Sequence, residues 1–221
     1  MRDALFALVK NPTAVTYGEL LRQVVTQPGF QIYTDDMRVL REKFEAGDFA
    51  GVRDGIAAVM RFWIHSPEIH LMAWSVAKRL GDAETEKLEG LITQACVAGM
   101  QASGDGSLAQ PYQIAHVDDE YALLRFMKLP FTRYGSMASA EGRTIDVFHC
   151  GDGRALHFEL PGVGGLFARP GAPAGPSQGD LATVRVRPPP RGRGAAARWH
   201  RPLIIAAIVL GAVLVGLLIR G

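Results

Sequence analysis

Residues 103–117, with the sequence SGDGSLAQPYQIAHV, mark the point where the periodicity of the chain changes. Ser103-Gly104-Asp105-Gly106 has residue types typical of a turn and ends a helical pattern. In Tyr112–Val117, side chains alternate in character as they do in a strand. Helix-type periodicity therefore precedes this stretch, and strand-type periodicity follows it. This order predicts an α+β fold, in which N-terminal helical hairpins are followed by a small, mostly antiparallel sheet with one helix.

Five helices are predicted before residue 103 from apolar side chains that recur at helical spacing. Capping residues signal their starts, as at Asp35-Asp36, Asp48 and Ser66-Pro67, and glycines such as Gly47 and Gly81 signal their ends. The predicted helices are Thr16–Gln27, Met37–Ala46, one from Asp48 through Trp63, one from Pro67 to Gly81, and Ala83–Ala102.

The residues after 117 predict one helix and three further strands. Asp118-Asp119-Glu120 opens a helix through Lys128, because acidic residues suit the positive N-terminal end of the helix dipole. Hairpin-type turns at Ala140-Glu141-Gly142 and Gly151-Asp152-Gly153 then separate the strands. The predicted strands are Arg133–Ala140, Thr144–Cys150 and Ala155–Leu160.

The last part of the sequence predicts a linker and a membrane anchor. Residues 161–198 contain seven prolines and eight glycines, a composition typical of a disordered linker. Leu203–Ile219 is 17 residues long without a polar side chain, which at 1.5 Å per residue spans about 25 Å of bilayer. Trp199 and Arg220 flank this run and suit the two membrane interfaces. Gly211 and Gly216, each four residues after an alanine, would permit a homodimer through this helix.

The formal net charge of +2 conceals an acidic body and a basic tail. No acidic residue follows Asp180, and seven of the 24 basic residues do, so the first 180 residues carry 17 basic against 22 acidic side chains. By the positive-inside rule the arginines before the anchor keep the body on the cytoplasmic side, as in a tail-anchored membrane protein. They also suit anionic lipid headgroups, or they set topology alone. We expect no nucleic-acid partner. The arginines concerned are Arg185, Arg187, Arg191, Arg193, Arg198 and Arg201.

Four segments follow from these patterns. Residues 1–106 form the helical part of the body and 107–160 the small α/β part. Residues 161–198 form the disordered linker and 199–220 the transmembrane anchor.

The sequence holds no recognisable catalytic or metal motif. Cys96 and Cys150 give no disulfide framework, and no histidines and carboxylates stand at metal-ligand spacing, so we expect no metal and no cofactor. The weak catalytic candidates are Asp105, Asp119, Asp146 and His149. Capping the helix start is the more usual role for acidic residues at the position of Asp119, and strand alternation places Asp146 and Cys150 on the face opposite His149.

Two family resemblances bear on the fold. Phe44-x-x-Gly47-Asp48-Phe49 and Lys78-Arg79-Leu80-Gly81-Asp82 loosely resemble tetratricopeptide-type helical hairpins. Over about 14–160 the chain more closely resembles the bacterial domain family DUF4919, which implies helices plus a small sheet and brings no catalytic residue. The residues that carry this resemblance include Thr16-Tyr17-x-x-Leu20-Leu21, Tyr33-Thr34-Asp35-Asp36, Ser103-Gly104-Asp105-Gly106, Val117-x-Asp119-Glu120-Tyr121-x-Leu123-Leu124, Asp146-Val147 and His157-Phe158-Glu159-Leu160.

Three functions are compatible with these patterns. The first is an adaptor, held at the membrane by its C-terminal helix, whose helical body binds a protein partner. The second is a hydrolase-like enzyme that uses the aspartate and histidine candidates. The third is regulatory signalling through the arginine-rich tail.

Overall fold

A computed structural model describes residues 1–139 and 144–160, and the backbone of residues 181–185. The chain has the α+β fold that its periodicity predicts: helices fill the first 102 residues and a five-stranded sheet follows them. The helices are α1 (Arg2–Lys10), α2 (Ala14–Val25), α3 (Asp36–Glu45), α4 (Phe49–Trp63), α5 (Pro67–Leu80), α6 (Ala83–Ala102) and α7 (Val117–Phe126). The strands are β1 (Tyr112–Gln113), β2 (Phe131–Ser139), β3 (Thr144–Cys150), β4 (Ala155–Leu160) and β5 (Leu181–Arg185).

The sheet has the strand order β1-β4-β3-β2-β5 and is mixed. The β1–β4 pair is parallel, whereas β2–β3, β3–β4 and β2–β5 are antiparallel. Strands β3 and β4 have the bounds predicted from the sequence, because the turn around Gly151-Asp152-Gly153 separates them. Gly153 has φ +86°, a backbone conformation that glycine adopts without steric cost.

Three elements before residue 130 differ in particular from the sequence-based prediction. Helix α1 was not predicted, and it packs through Ala4 and Leu8 against the core. The expected strand Tyr112–Val117 shortens to the two residues of β1, because His116 becomes the N-cap of α7. Helix α7 ends at Phe126 rather than Lys128, and Lys128 has φ +56°, which lies outside helical geometry.

The buried side chains form two hydrophobic clusters. The larger cluster combines side chains of α1, α2, α6 and α7 with those of the sheet, including Leu20, Cys96 and Phe148. The smaller cluster lies among α3, α4 and α5 and includes Leu40 and Trp63. A buried polar group, formed by His65, His116 and Asp119, joins the two clusters.

The C-terminal expectations fall mostly outside the residues that the structure describes. Strand β5 lies within the stretch predicted to be a disordered linker. It corrects that prediction for these residues, because it pairs antiparallel with β2. The other residues of 161–198, and the whole anchor segment 199–220, lie outside the described residues. Within the described part of the chain, no helix combines the length and the apolar character needed to cross a bilayer.

Candidate functional site

Three polar side chains from distant parts of the chain meet in the interior. His65 lies between α4 and α5, His116 caps α7, and Asp119 lies in the first turn of α7. None is more than 1% exposed to solvent. One donor atom of each residue lies within 4.8 Å of the donor atoms of the other two. We call these residues the His–Asp cluster.

Asp119 is the anion at the centre of the cluster. Its Oδ2 lies 3.0 Å from His65 Nε2, and its Oδ1 accepts a hydrogen bond of 2.6 Å from Ser66 Oγ. Oδ2 also accepts from the backbone N–H of His116 at 3.2 Å, so Asp119 caps its own helix as the sequence predicts. Burial acts to raise the pKa of Asp119, but the neighbouring His65, His116 and Ser66 outweigh it and lower this pKa. The carboxyl is therefore held as the anion.

The ring of His116 lies between the two hydrophobic clusters and has no hydrogen-bond partner among the residues that the structure describes. Its ring stacks on Trp63 with a centroid distance of 3.9 Å and an interplanar angle of 6°. The His65 ring lies 5.3 Å away, and neither Nδ1 nor Nε2 of His116 has a partner. Burial, followed by the charge of His65, lowers the pKa of His116 to about 3. The imidazole is therefore neutral near pH 7, which is the form that donates a lone pair.

Other buried groups around the cluster also lack partners. Nδ1 of His65 and the hydroxyl of Tyr17 are buried without a hydrogen bond. Burial, followed by the charge of Asp119, raises the pKa of Tyr17 and that of the Cys96 thiol. Both groups are therefore uncharged near neutral pH, and Cys96 is a thiol rather than a reactive thiolate.

A second acidic site lies next to the His–Asp cluster. Glu120 is buried, and its pKa is raised well above the ordinary value by burial first and then by the charge of Asp146 on β3. Asp146 is also buried, whereas His149 on the same strand is exposed. The predicted alternation of Asp146 and Cys150 against His149 is thereby confirmed.

The four catalytic candidates do not meet in one open site. Asp119 and Asp146 are buried, while Asp105 and His149 are exposed. Asp105 accepts a hydrogen bond of 2.8 Å from the backbone N–H of Ser107, which is a turn-stabilising role. Ser66 donates to Asp119 instead of to a histidine, so the serine–histidine pair of many nucleophilic sites is not formed here.

One recess lies at the start of α3. It has a volume of about 330 Å³ and is lined by Gly29, Gln31, Thr34, Asp35, Asp36 and Phe62. Asp36, one of these residues, accepts a hydrogen bond of 2.9 Å from Trp63 Nε1. This hydrogen bond links the recess to the tryptophan that stacks on His116.

The His–Asp cluster is the feature that spacing in the sequence missed. His65 and Asp119 are 54 residues apart, and no motif of short spacing links them. The local signals, a helix start at Ser66 and another at Asp119, identify each position as a cap. Only the packing of α7 against the α4–α5 connection brings the two caps together.

Searches against protein-family models, curated proteins and solved structures found no match to this chain.

Proposed function

We propose that this chain is an adaptor held at a membrane by residues 199–220, with a DUF4919-like body that binds another protein. The observation that carries the proposal is a pair of exposed leucines in the first half of α6. Leu88 and Leu91 are 54% and 40% exposed. Residues three apart on a helix are neighbours, so the two side chains form one apolar surface.

The same apolar stripe supplies the core in the later turns of the helix. Ile92, Cys96 and Met100 are buried in the larger hydrophobic cluster. Leu88 lies one turn before Ile92, so the stripe extends beyond the part that the core covers. A protein partner with an apolar surface of its own would cover the exposed part of the stripe.

The chemistry of the acidic residues supports binding over hydrolysis. In the described part of the chain the candidate acids are either buried or separated on the surface, and the buried Ser66 beside them is not paired with a histidine. A hydrolase needs a nucleophile or activated water beside the substrate, and a fully buried cluster gives a substrate no access. The hydrolase-like alternative therefore draws no support from this arrangement.

The proposed anchor and its charges supply the location. Residues 203–219 hold no polar side chain, and the arginines before them suit the cytoplasmic leaflet. Deleting residues 199–221 should release the protein from membranes washed at alkaline pH, whereas the full chain should stay with the lipid. Retention of the shortened chain in the washed membranes would contradict this anchor.

Site-specific crosslinking in cells tests the docking surface. A photoreactive amino acid in place of the exposed Lys87 should give a discrete crosslinked product with the full chain. Leu88→Ser/Leu91→Ser should abolish that product, because the apolar surface is lost while exposed substitutions change stability little. The matched control, Phe6→Ser/Val15→Ser, removes two other exposed apolar side chains and should leave the product intact. A product that persists in the α6 variant would refute this surface.

A further inference from the structure

We propose that His65, His116 and Asp119 bind a single divalent transition-metal ion of the zinc class. Two imidazole nitrogens and one carboxylate oxygen are the ligands that such ions prefer, whereas Ca²⁺ and Mg²⁺ prefer oxygen alone. The inference is independent of the adaptor surface on α6.

The geometry brings three donors of the right kind to one point. The donor atoms all lie within 4.8 Å of one another, and His65 Nε2 is 3.0 Å from Asp119 Oδ2. Ligand atoms on a tetrahedral zinc ion at about 2.0–2.2 Å are separated by roughly 3.3–3.6 Å. Donor atoms at the 4.8 Å limit would have to approach by roughly 1.2–1.5 Å to share one ion, which rotations of the side chains can supply.

The unpartnered nitrogens supply an independent indication of a ligand. Both ring nitrogens of His116 are buried without a hydrogen bond, as is Nδ1 of His65. Buried polar atoms are almost always paired, and an orphaned one destabilises the fold. A bound ion would take up the lone pair of His116 that no other described group uses.

The surroundings hold the donors in place. Ser66 fixes one oxygen of Asp119 through its 2.6 Å hydrogen bond, and Trp63 covers a face of the His116 ring. Partners that orient a ligand raise the affinity of a metal site. Because all three donors are buried, the ion would be structural and would join α7 to the α4–α5 connection.

The first test is metal binding by the full chain, purified in detergent without a histidine tag. After zinc exposure and dialysis the wild-type chain should retain one zinc per chain, and it should take up no stoichiometric Mg²⁺. Zinc should raise its melting temperature by several degrees, since binding to the folded state alone stabilises it. Failure to retain zinc would overturn the site.

Variants then separate this site from adventitious binding. His116→Phe keeps a flat ring against Trp63 and removes the nitrogens, and Asp119→Asn removes the charge. Both should lose the zinc and the rise in melting temperature, while the control His149→Ala, which changes an exposed histidine, should retain both. Equal zinc retention in His116→Phe would mean that the metal binds elsewhere.

X-ray absorption on the zinc-loaded wild-type chain keeps the proposal testable even if a variant fails to fold. We expect two imidazole nitrogens and one oxygen as ligands, each at about 2.0–2.2 Å from the zinc ion. A spectrum with fewer than two imidazoles would contradict the site.

Discussion

At the scale of single residues, burial decides which acids of this chain carry a charge. Asp119 is surrounded by hydrogen-bond donors and is held as the anion, whereas Glu120, the next residue, faces other carboxyls. Burial and the neighbouring acids raise the pKa of Glu120 well above its ordinary value, so the folded protein keeps this proton.

Glu120→Gln should therefore reduce the pH dependence of stability. The unfolded chain releases the proton of Glu120 from about pH 4.5 upward, while the folded chain retains it. The folded state consequently loses stability as pH rises, by about 1.4 kcal/mol for each unit by which the pKa is raised. Urea denaturation at pH 5 and pH 8 should show a smaller decline for Glu120→Gln than for the wild type. Glu45→Gln, a change at an exposed acid, is the control, and the same decline in all three proteins would contradict this account.

At the scale of elements, local signals predict most boundaries. Asp48 and Asp82 cap α4 and α6 through their side chains, and Gly81 ends α5 in a left-handed conformation, all as their residue types indicate. The sequence does not predict helix α1, because its few apolar residues indicate a helix only once the core is known against which Ala4 and Leu8 pack. Strand β1 is shorter than the predicted Tyr112–Val117 for a related reason, since His116 becomes the N-cap of α7.

The turn at Gly106 predicts a graded response to substitution. Gly106 and Gly153 both have positive φ, at +79° and +86°, but a Cβ on Gly106 would lie 2.7 Å from Tyr112 and 2.8 Å from Leu156. Nothing lies within 4 Å of a Cβ on Gly153. Gly153→Ala should cost about 1 kcal/mol of unfolding free energy through backbone strain alone. Gly106→Ala should cost a further 1–3 kcal/mol through overpacking, as measured by thermal or urea denaturation. Equal costs for the two variants would contradict the described packing.

At the scale of the whole molecule, polar contacts join the two hydrophobic clusters. Glu68 on α5 accepts hydrogen bonds from Arg125 on α7 and from Arg41 on α3, the latter at 3.4 Å. Arg41 also donates to Asp118 on α7 at 2.8 Å. These contacts lie beside the His–Asp cluster. Glu68 and Arg125 are 57 positions apart in the sequence, and Arg41 and Asp118 are 77 positions apart. Sequence spacing gives no sign of such pairs, because they depend on how the helices pack.

Glu68→Gln should weaken the connection between the two clusters. The side chain of Glu68 is only 11% exposed and serves two arginines, so we expect a loss of about 1–3 kcal/mol of unfolding free energy. The matched control is Glu42→Gln on α3. It breaks a single exposed pair with Arg38 at i,i+4 and should cost less than about 0.5 kcal/mol. Denaturation curves of both variants measure these losses of unfolding free energy. If Glu68→Gln loses no more than Glu42→Gln, the contacts of Glu68 with the two arginines do not stabilise the fold.

The stacking of Trp63 on His116 also gives the protein an intrinsic optical signal. The indole holds one imidazole face at 3.9 Å and is itself fixed by the hydrogen bond from its Nε1 to Asp36. A charged imidazole quenches indole fluorescence far more than a neutral one, so the emission of Trp63 reports the protonation state of His116. The sequence has two other tryptophans, Trp74 and Trp199, and a Trp74→Phe/Trp199→Phe background would remove their contribution to the emission. Events in the interior of the protein can thus be followed by light, without any attached label.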